Sequence, residues 1–318
     1  MKLQQLSSAD LRKHLSGEGV WLRTGPFSLR IRSHIPQVAE GLVDLYGQFE
    51  VRNARQAFAD FHVELNPPSI LRRWFRPQVN FSFDGSLPFK PLPLDQAYPM
   101  LEWGLNWCVS MHAHHYLIIH AAVVEKNGLA AILPAPPGSG KSTLAAGLVL
   151  SGWRLLSDEL TLIDRKTGLI HALPRPVSLK NQSIEIIRQF SPEAFINRAA
   201  HDTAKGTVAH MRPPKSSVQR QHEPARPGWV IFPRWQADAE MRLTPRSKAQ
   251  TFMFLAQNAF NYSHLGADGF RTGTALIEQV GCYDFRYGQL HEAVAAFNRL
   301  ADSPSQHVRV QTYPHGRA

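Results

Sequence analysis

The first third of the chain carries two kinds of apolar pattern in turn. Residues 27–32 and 61–65 alternate apolar and polar side chains, which predicts half-buried strands. Residues 35–46 repeat apolar side chains every three or four positions, and an apolar, aromatic-rich run covers 99–111, so both stretches predict helices with a buried face. Because strands and helices are interspersed, we expect residues 1–115 to form an α+β region.

From residue 116 onwards, short continuous apolar runs are separated by turn residues. Such runs predict buried strands at 129–133, 153–157 and 229–232, and the last of these is expected to have 241–244 as its neighbour. Helical spacing predicts further helices at 183–190, 247–261, 272–280 and 290–300. We therefore predict an α/β fold for residues 116–318.

Composition narrows the class of protein without selecting a function. The 318 residues are 43% hydrophobic, which indicates a folded chain, and 35 basic against 25 acidic residues give a net charge of +10. That charge suits nucleotides, nucleic acid or an acidic partner. Two cysteines cannot form a disulfide framework, no run approaches the roughly 20 apolar residues of a membrane span, and the N-terminus lacks a signal-peptide pattern. We expect a cytoplasmic protein that does not enter a membrane.

The segment Pro-Ala-Pro-Pro-Gly-Ser-Gly-Lys-Ser-Thr at 134–143 connects the predicted strand 129–133 to an apolar helix. Its loop is rich in small residues, so successive backbone N–H groups can turn inward around a chain of phosphates. The residues predicted to line this phosphate site are Pro137, Gly138, Ser139 and Gly140.

The next three residues add charge and hydroxyl groups to the same site. Lys141 is predicted to reach the β- and γ-phosphates, and the hydroxyl of Ser142 or Thr143 is predicted to face Mg²⁺. The helix that begins at Lys141 points the positive end of its dipole at the anion. The strict P-loop pattern has Gly at the position that Ala135 occupies here. Strand, loop and helix in this order predict an ATP·Mg²⁺ site.

Two adjacent acids, Asp158 and Glu159, follow the predicted strand 153–157. A P-loop enzyme needs carboxylate near its phosphates to hold Mg²⁺ and, in a kinase, to accept the proton of the attacked hydroxyl. We predict that Asp158 and Glu159 share these roles, with Asp158 and Ser142 as metal ligands. A simpler alternative is that one acid only caps the following turn.

His120 lies on the strand that leads into Asn127-Gly128, a pair typical of a tight hairpin. The return strand of this hairpin feeds the glycine-rich loop. We therefore expect the strand of His120 to lie beside the strand that precedes the loop, which would bring His120 towards the phosphates.

Basic residues downstream provide further candidates for phosphate contacts. Lys180 ends an extended segment, and His210 and Arg212 lie within the basic, proline-containing stretch 199–227. Few acids balance this stretch, so it is predicted to be either a mobile, solvated loop or a lid that closes over the nucleotide.

These motifs together resemble the HPr kinase-related kinase A family, within the HPr kinase/phosphorylase and phosphoenolpyruvate carboxykinase-like P-loop enzymes. The resemblance covers roughly residues 115–265. It is carried by Ile119-His-Ala-Ala-Val-Val, Pro137-Gly-Ser-Gly-Lys-Ser-Thr-Leu, Gly152-Trp-Arg-Leu-Leu-Ser-Asp-Glu-Leu, Arg175-Pro-Val-Ser-Leu-Lys, Gly206-Thr-Val-Ala-His-Met-Arg-Pro-Pro and Ile231-Phe-Pro-Arg-Trp.

The resemblance implies a mixed-sheet kinase core in residues 116–318. It also implies that His120 is an active-site histidine near the transferred phosphate, Lys141 the P-loop lysine, and Asp158 and Glu159 the adjacent acids. A later Glu-x-Arg-Gly segment of HPr kinase, whose Glu binds Mg²⁺, has no counterpart in this chain. Phosphorylase activity and HPr as the substrate are therefore not implied.

The function that the sequence favours is an ATP-dependent kinase acting on a hydroxyl group, on a small protein or peptide, with a small-molecule kinase as a variant that uses the same groups. Two other classes stay open: a P-loop NTPase that works as a switch, and a nucleotide-binding regulator without phosphoryl transfer. Nucleic acid is disfavoured as a partner because only the net charge and the basic stretch suggest it. The preference between ATP and GTP, and assembly into a homo-oligomer, stay open.

Overall fold

The computed structural model describes residues 1–53, 57–69, 71–136 and 138–302. Two short 3₁₀ helices cover Leu3–Gln5 and Leu94–Gln96. The α-helices are α1 (Ser8–Ser16), α2 (Pro36–Tyr46), α3 (Leu71–Trp74), α4 (Ala97–His112), α5 (Lys141–Leu150), α6 (Gln182–Phe190), α7 (Lys215–Gln219), α8 (Lys248–Gln257), α9 (Tyr262–Leu265), α10 (Ala267–Gln279) and α11 (Leu290–Asp302).

The strands alternate with these helices along most of the chain. They are β1 (Val20–Thr24), β2 (Phe27–Ser33), β3 (Val51–Asn53), β4 (Phe61–Asn66), β5 (Gln78–Phe83), β6 (Leu92–Pro93), β7 (Tyr116–Lys126), β8 (Leu129–Pro134), β9 (Arg154–Ser157), β10 (Leu160–Asp164), β11 (Ile170–His171), β12 (Val177–Lys180), β13 (Ala200–Thr203), β14 (Gly206–Met211), β15 (Arg226–Trp235), β16 (Arg242–Pro245) and β17 (Gly281–Tyr287). The protein is therefore a mixed α/β fold.

The chain divides into two compact units that are each assembled from several segments. The first unit contains Met1–Ala113, Leu155–Asp158 and Ala172–Glu223, and the second contains His114–Arg154, Glu159–His171 and the chain from Pro224 onwards. The predicted division into residues 1–115 and 116–318 stays a prediction. Packing places 172–223 with the N-terminal region, because β13 contacts the 3₁₀ turn Leu94–Gln96.

The first unit contains a mixed sheet in the order β3-β1-β2-β4-β5-β6. Strands β2 and β4 pair in parallel, and the other pairs in this sheet are antiparallel. In β2, alternation buries Leu29 and Ile31 and leaves Arg30 and Arg32 on the outer side, as its pattern predicts. The same unit contains a three-stranded antiparallel sheet in the order β12-β14-β13.

The sheet of the second unit contains a parallel centre between antiparallel edges. Its strands run in the order β11-β10-β7-β8-β15-β17-β16. Strand β15 pairs in parallel with both β8 and β17, whereas β7 pairs antiparallel with β8 and β10. The carboxyl ends of β8, β15 and β17 therefore meet at one edge of this sheet, which is where open α/β sheets bind their ligands.

Helices α5 and α11 cover this sheet. Helix α5 contacts β7, β8 and β15, and α11 packs against α5. Apolar side chains spaced three or four residues apart give α11 its buried face, which includes Val294, Phe297 and Leu300. Phe297 lies edge-on to Trp153 and to Phe285, with ring centroids 5.9 and 5.4 Å apart. Because α11 packs against α5, this packing also holds α5, the helix that follows the glycine-rich loop.

A buried ion pair in the second unit supports the β7–β8 hairpin. Glu125 and Arg154 have side chains that are only 3% and 4% exposed and that form a salt bridge. The other carboxylate oxygen of Glu125 accepts a hydrogen bond of 2.6 Å from the Gly128 N–H, inside the predicted Asn127-Gly128 turn. The hairpin is confirmed, with Asn127 and Gly128 at φ 55° and 81°.

We expect Glu125→Ala to lower the free energy of unfolding by about 3–5 kcal/mol, because it leaves the Arg154 guanidinium buried without its carboxylate. Urea denaturation measures this loss. Glu278→Ala, which removes an exposed carboxylate from α10, is the control and should change stability by less than about 0.5 kcal/mol. Equal stability of the two variants would contradict a structural role for the buried pair.

Most predicted elements are present, with two corrections. The predicted 241–244 strand forms β16, but it pairs with β17 and not with 229–232. The predicted helix 247–261 ends at Gln257, and α9 begins separately at Tyr262. Within the described part of the chain, every helix is too short or too polar to cross a bilayer.

Candidate functional site

The glycine-rich loop connects β8 to α5 through two residues with left-handed backbone. Gly138 and Gly140 have φ angles of 83° and 85°, a conformation that costs a residue with a Cβ roughly 1–2 kcal/mol. The Ser139 N–H donates to the Pro136 carbonyl oxygen over 3.3 Å, which closes the turn between them. Helix α5 then begins at Lys141, and its first N–H groups have no carbonyl partner within the helix. Pro137, also predicted to line this site, lies outside the described residues.

The loop is held by the last residues of the two parallel strands beside it. The Trp235 N–H, at the end of β15, donates to the Ser139 carbonyl over 2.9 Å. The Tyr287 hydroxyl, at the end of β17, donates to the Gly140 carbonyl over 3.2 Å. Burial raises the pKa of Tyr287, so its phenol stays protonated at neutral pH and remains a donor. Sequence patterns did not identify Trp235 or Tyr287, because their contribution depends on which strands are neighbours.

The Ser139 hydroxyl has no hydrogen-bond partner among the described residues. Its oxygen atom is buried. A buried hydroxyl without a partner is costly, and a bound anion would remove that cost. Its place between two glycines, two residues before the start of α5, fits a phosphate oxygen.

Alanine substitutions of Gly138 and Gly140 are expected to destabilise the protein for different reasons, the first through backbone strain alone and the second also through steric contact. A Cβ on Gly140 would lie 2.7 Å from the Tyr287 hydroxyl and 2.9 Å from the Trp235 Cβ, whereas a Cβ on Gly138 meets no atom within 4 Å. We expect Gly138→Ala to destabilise the protein by about 1–2 kcal/mol through strain alone. Gly140→Ala should cost about 1–3 kcal/mol more, because the loop anchors must shift. Thermal or urea unfolding tests this order, and equal losses would contradict the described anchoring of the loop.

His120 and Glu159 lie at the same edge of the sheet as this loop. Ala121 pairs with Pro134, the last residue of β8, so His120 is one residue further towards the loop. His120 in turn pairs with Leu160, the first residue of β10, and Glu159 directly precedes it. The expectation that the strand of His120 neighbours the strand before the loop is confirmed. The His120 ring also lies 5.6 Å from the Phe260 ring, and the His120 backbone N–H donates to the Asn258 carbonyl over 2.9 Å.

Asp158 belongs to the first unit and has a buried carboxylate. Its side chain accepts a hydrogen bond of 3.0 Å from the Ser178 N–H on β12. The residue is 5% exposed, whereas Glu159, the next residue in the chain, is partly exposed. The two adjacent acids therefore have different surroundings, and their predicted shared role stays a prediction.

The three downstream basic candidates are also in the first unit. Lys180 ends β12 opposite Val208, and His210 pairs with Ser178. His210 is 1% exposed; its N–H donates to the Asn197 side chain over 2.8 Å, and its ring lies edge-on to Tyr98.

Arg212 follows β14 and lies on the surface of the same unit. Its guanidinium lies 4.1 Å from the centre of the Phe195 ring and donates to the Asp44 carbonyl. The predicted phosphate contacts of Lys180, His210 and Arg212 stay predictions.

The stretch 199–227 differs from the predicted solvated loop. It contains β13, β14, α7 and the first residues of β15. Pairing of β14 with both β12 and β13 satisfies its backbone, and Val208, Ala209 and Met211 are buried. Composition indicated a loop because basic residues and prolines dominate, but the apolar residues of β14 supply enough buried surface to order the segment.

The donor set near the loop fits Mg²⁺. Magnesium in phosphate sites takes one or two carboxylates and completes its shell with phosphate oxygens and water. Ser142 in the first turn of α5 would supply a hydroxyl oxygen, and one of the adjacent acids Asp158 and Glu159 would supply the carboxylate. In the described residues no group of three or more His, Cys, Asp or Glu side chains is arranged to hold a metal.

No protein-family model and no curated protein sequence matches this chain.

Proposed function

We propose that this protein is a Mg·ATP-dependent kinase that transfers the γ-phosphoryl group to a hydroxyl of a small protein or peptide. One observation carries the proposal: the loop with left-handed Gly138 and Gly140 is held at the carboxyl edge of parallel strands β8, β15 and β17, directly before helix α5. Loops of this geometry bind phosphate chains through their backbone N–H groups and the dipole of the following helix.

The chain supplies a separate group for each task of the reaction. ATP would supply the phosphoryl group, and Mg²⁺ would neutralise charge on its phosphates. Lys141 and the loop N–H groups hold the phosphates, and the hydroxyls of Ser142 and Thr143 lie in the first turn of α5 for the metal. A catalyst of this kind works by positioning and by charge stabilisation.

Glu159 is the acid that we assign to the acceptor hydroxyl. It is partly exposed and lies at the edge of the sheet that also carries His120 and the loop. A general base must reach the hydroxyl whose proton it accepts, so a partly exposed carboxylate suits the role. The metal-ligand role of Asp158 stays what the sequence predicts; in the structure its carboxylate accepts a hydrogen bond from the Ser178 N–H. His120 would orient the transferred phosphate.

The decisive experiment incubates the purified protein with γ-labelled ATP and a lysate of the source cell, followed by mass spectrometry of the labelled species. A kinase gives a labelled protein or peptide that is missing when Lys141→Ala replaces the wild type. Release of labelled inorganic phosphate without a labelled acceptor would instead identify an NTP-hydrolysing switch. Tight ATP binding without ADP formation would identify a nucleotide-binding regulator.

A further inference from the structure

Three arginines form a row across neighbouring strands of the second unit. Arg234 on β15 pairs in register with Arg286 on β17, and Arg286 pairs with Arg242 on β16. Directly paired residues project from the same face of a sheet, and neighbouring strands are about 4.8 Å apart, so the row spans roughly 10 Å. We call Arg234, Arg286 and Arg242 the arginine row.

The arginine row is exposed and is not neutralised by its surroundings. All three residues are exposed, and none of them forms an ion pair with another described residue. The carboxylate on the same strand, Asp284, pairs with Arg246 over 2.7 Å. Like charges directly opposite each other destabilise a sheet, so the folded protein keeps this row at a cost to its stability. An anionic partner would remove the repulsion.

The row lies next to the loop that holds the proposed nucleotide. Arg234 directly precedes Trp235, whose N–H binds the Ser139 carbonyl, and Arg286 directly precedes Tyr287, whose hydroxyl binds the Gly140 carbonyl. Because neighbouring residues of a strand point to opposite faces, Arg234 and Arg286 project from the face opposite to the Trp235 and Tyr287 side chains, which contact the loop at Gly140. Arginine is among the residue types that most often dominate binding to a protein partner.

We propose that the arginine row is the docking surface for an acidic segment, rich in Asp and Glu, of the protein or peptide that this kinase phosphorylates. The inference rests on the proposed function and specifies its substrate class. An open row of three guanidinium groups spread over roughly 10 Å matches several carboxylates along an extended peptide better than one compact anion. Arg234 and Arg286 each precede a residue that contacts the loop, so a peptide that extends from the row over this edge of the sheet brings its hydroxyl towards the loop.

The test measures binding of a fluorescent eight-residue glutamate-rich peptide containing one serine, by anisotropy at low salt and without nucleotide. The comparison peptide has glutamine in place of every glutamate. We expect the wild-type protein to prefer the acidic peptide, and Arg286→Gln to weaken its binding about tenfold. Arg226→Gln is the matched control, because Arg226 is exposed on β15 at the opposite end of the strand and its loss removes the same charge.

Several results would overturn the proposal. One is equal affinity for the acidic and the neutral peptide. Another is an equal loss of affinity for the acidic peptide in Arg286→Gln and Arg226→Gln, which would indicate attraction by net charge alone. Tighter binding of an eight-nucleotide single-stranded DNA, lost in Arg286→Gln, would assign the row to nucleic acid. Self-association of the free protein that Arg286→Gln abolishes would assign the row to a second copy of the chain.

A stability measurement distinguishes this inference from the proposed kinase activity. Arg286→Gln should unfold at the same or a higher temperature than wild type, because the substitution relieves repulsion, and the acidic peptide should raise the melting temperature of wild type only. Peptide binding without nucleotide does not require Lys141, so Lys141→Ala should bind the peptide normally. Wild-type protein that binds the peptide but not ATP would contradict the kinase and not the docking surface. Wild-type protein that binds ATP but does not distinguish the two peptides would contradict the docking surface alone.

Discussion

Lys141→Ala is expected to reduce phosphoryl transfer by at least about 10³-fold while leaving the fold intact. Lys141 is the first residue of α5, immediately after Gly140, at the edge where the strands β8, β15 and β17 end. It is partly exposed and is not part of the apolar core that α5 buries, which includes Leu144 and Leu148. Its loss therefore removes positive charge from the phosphates and leaves the packing of the helix unchanged.

The measurement is the rate of label transfer from γ-labelled ATP, together with the affinity for a non-hydrolysable ATP analogue. Lys166→Ala is the control, since Lys166 is an exposed lysine in the β10–β11 turn of the same unit. Lys166→Ala should behave as wild type. Near wild-type turnover of Lys141→Ala would show that the loop is not a phosphate site. Equal unfolding midpoints of the two variants would confirm that both are folded.

Glu159→Gln and Asp158→Asn should each lower kcat by about 10²-fold or more, for different reasons. Glu159→Gln removes the carboxylate that we assign to the acceptor proton, so added Mg²⁺ should not restore activity. Asp158→Asn weakens the predicted metal ligand, so a higher Mg²⁺ concentration should restore part of the rate. The measurement is kcat at a series of Mg²⁺ concentrations with saturating ATP and acceptor.

The contacts of Asp158 give this experiment an internal check. An asparagine at position 158 keeps a side-chain oxygen that can accept the Ser178 N–H, so Asp158→Asn should fold as wild type. If Mg²⁺ restored the activity of Glu159→Gln and not that of Asp158→Asn, Glu159 would be the metal ligand and Asp158 the base. Wild-type activity in both variants would show that neither acid takes part in the reaction.

The sequence by itself was sufficient for the local framework of the site. The order of strand, loop and helix in 129–150 and the hairpin at Asn127-Gly128 were both predicted, and both are present. Each depends on residues that are close together in the chain: an apolar run, glycines that permit positive φ, and a two-residue turn that sets its own register. The hairpin also determined that the strand of His120 lies beside β8.

Only the tertiary structure decided which distant segments complete the site. Parallel pairing of β15 with β8 and β17 brings Trp235 and Tyr287 to the loop and aligns the arginine row, although these strands are separated by many residues in the chain. Apolar periodicity shows that a strand is buried and does not show which strand is its neighbour, so 241–244 was assigned to the wrong partner. For the stretch 199–227, the solvated-loop alternative was wrong for the same reason: the segment is ordered by β12 and the N-terminal region, and no local pattern records contacts between residues so far apart in the chain.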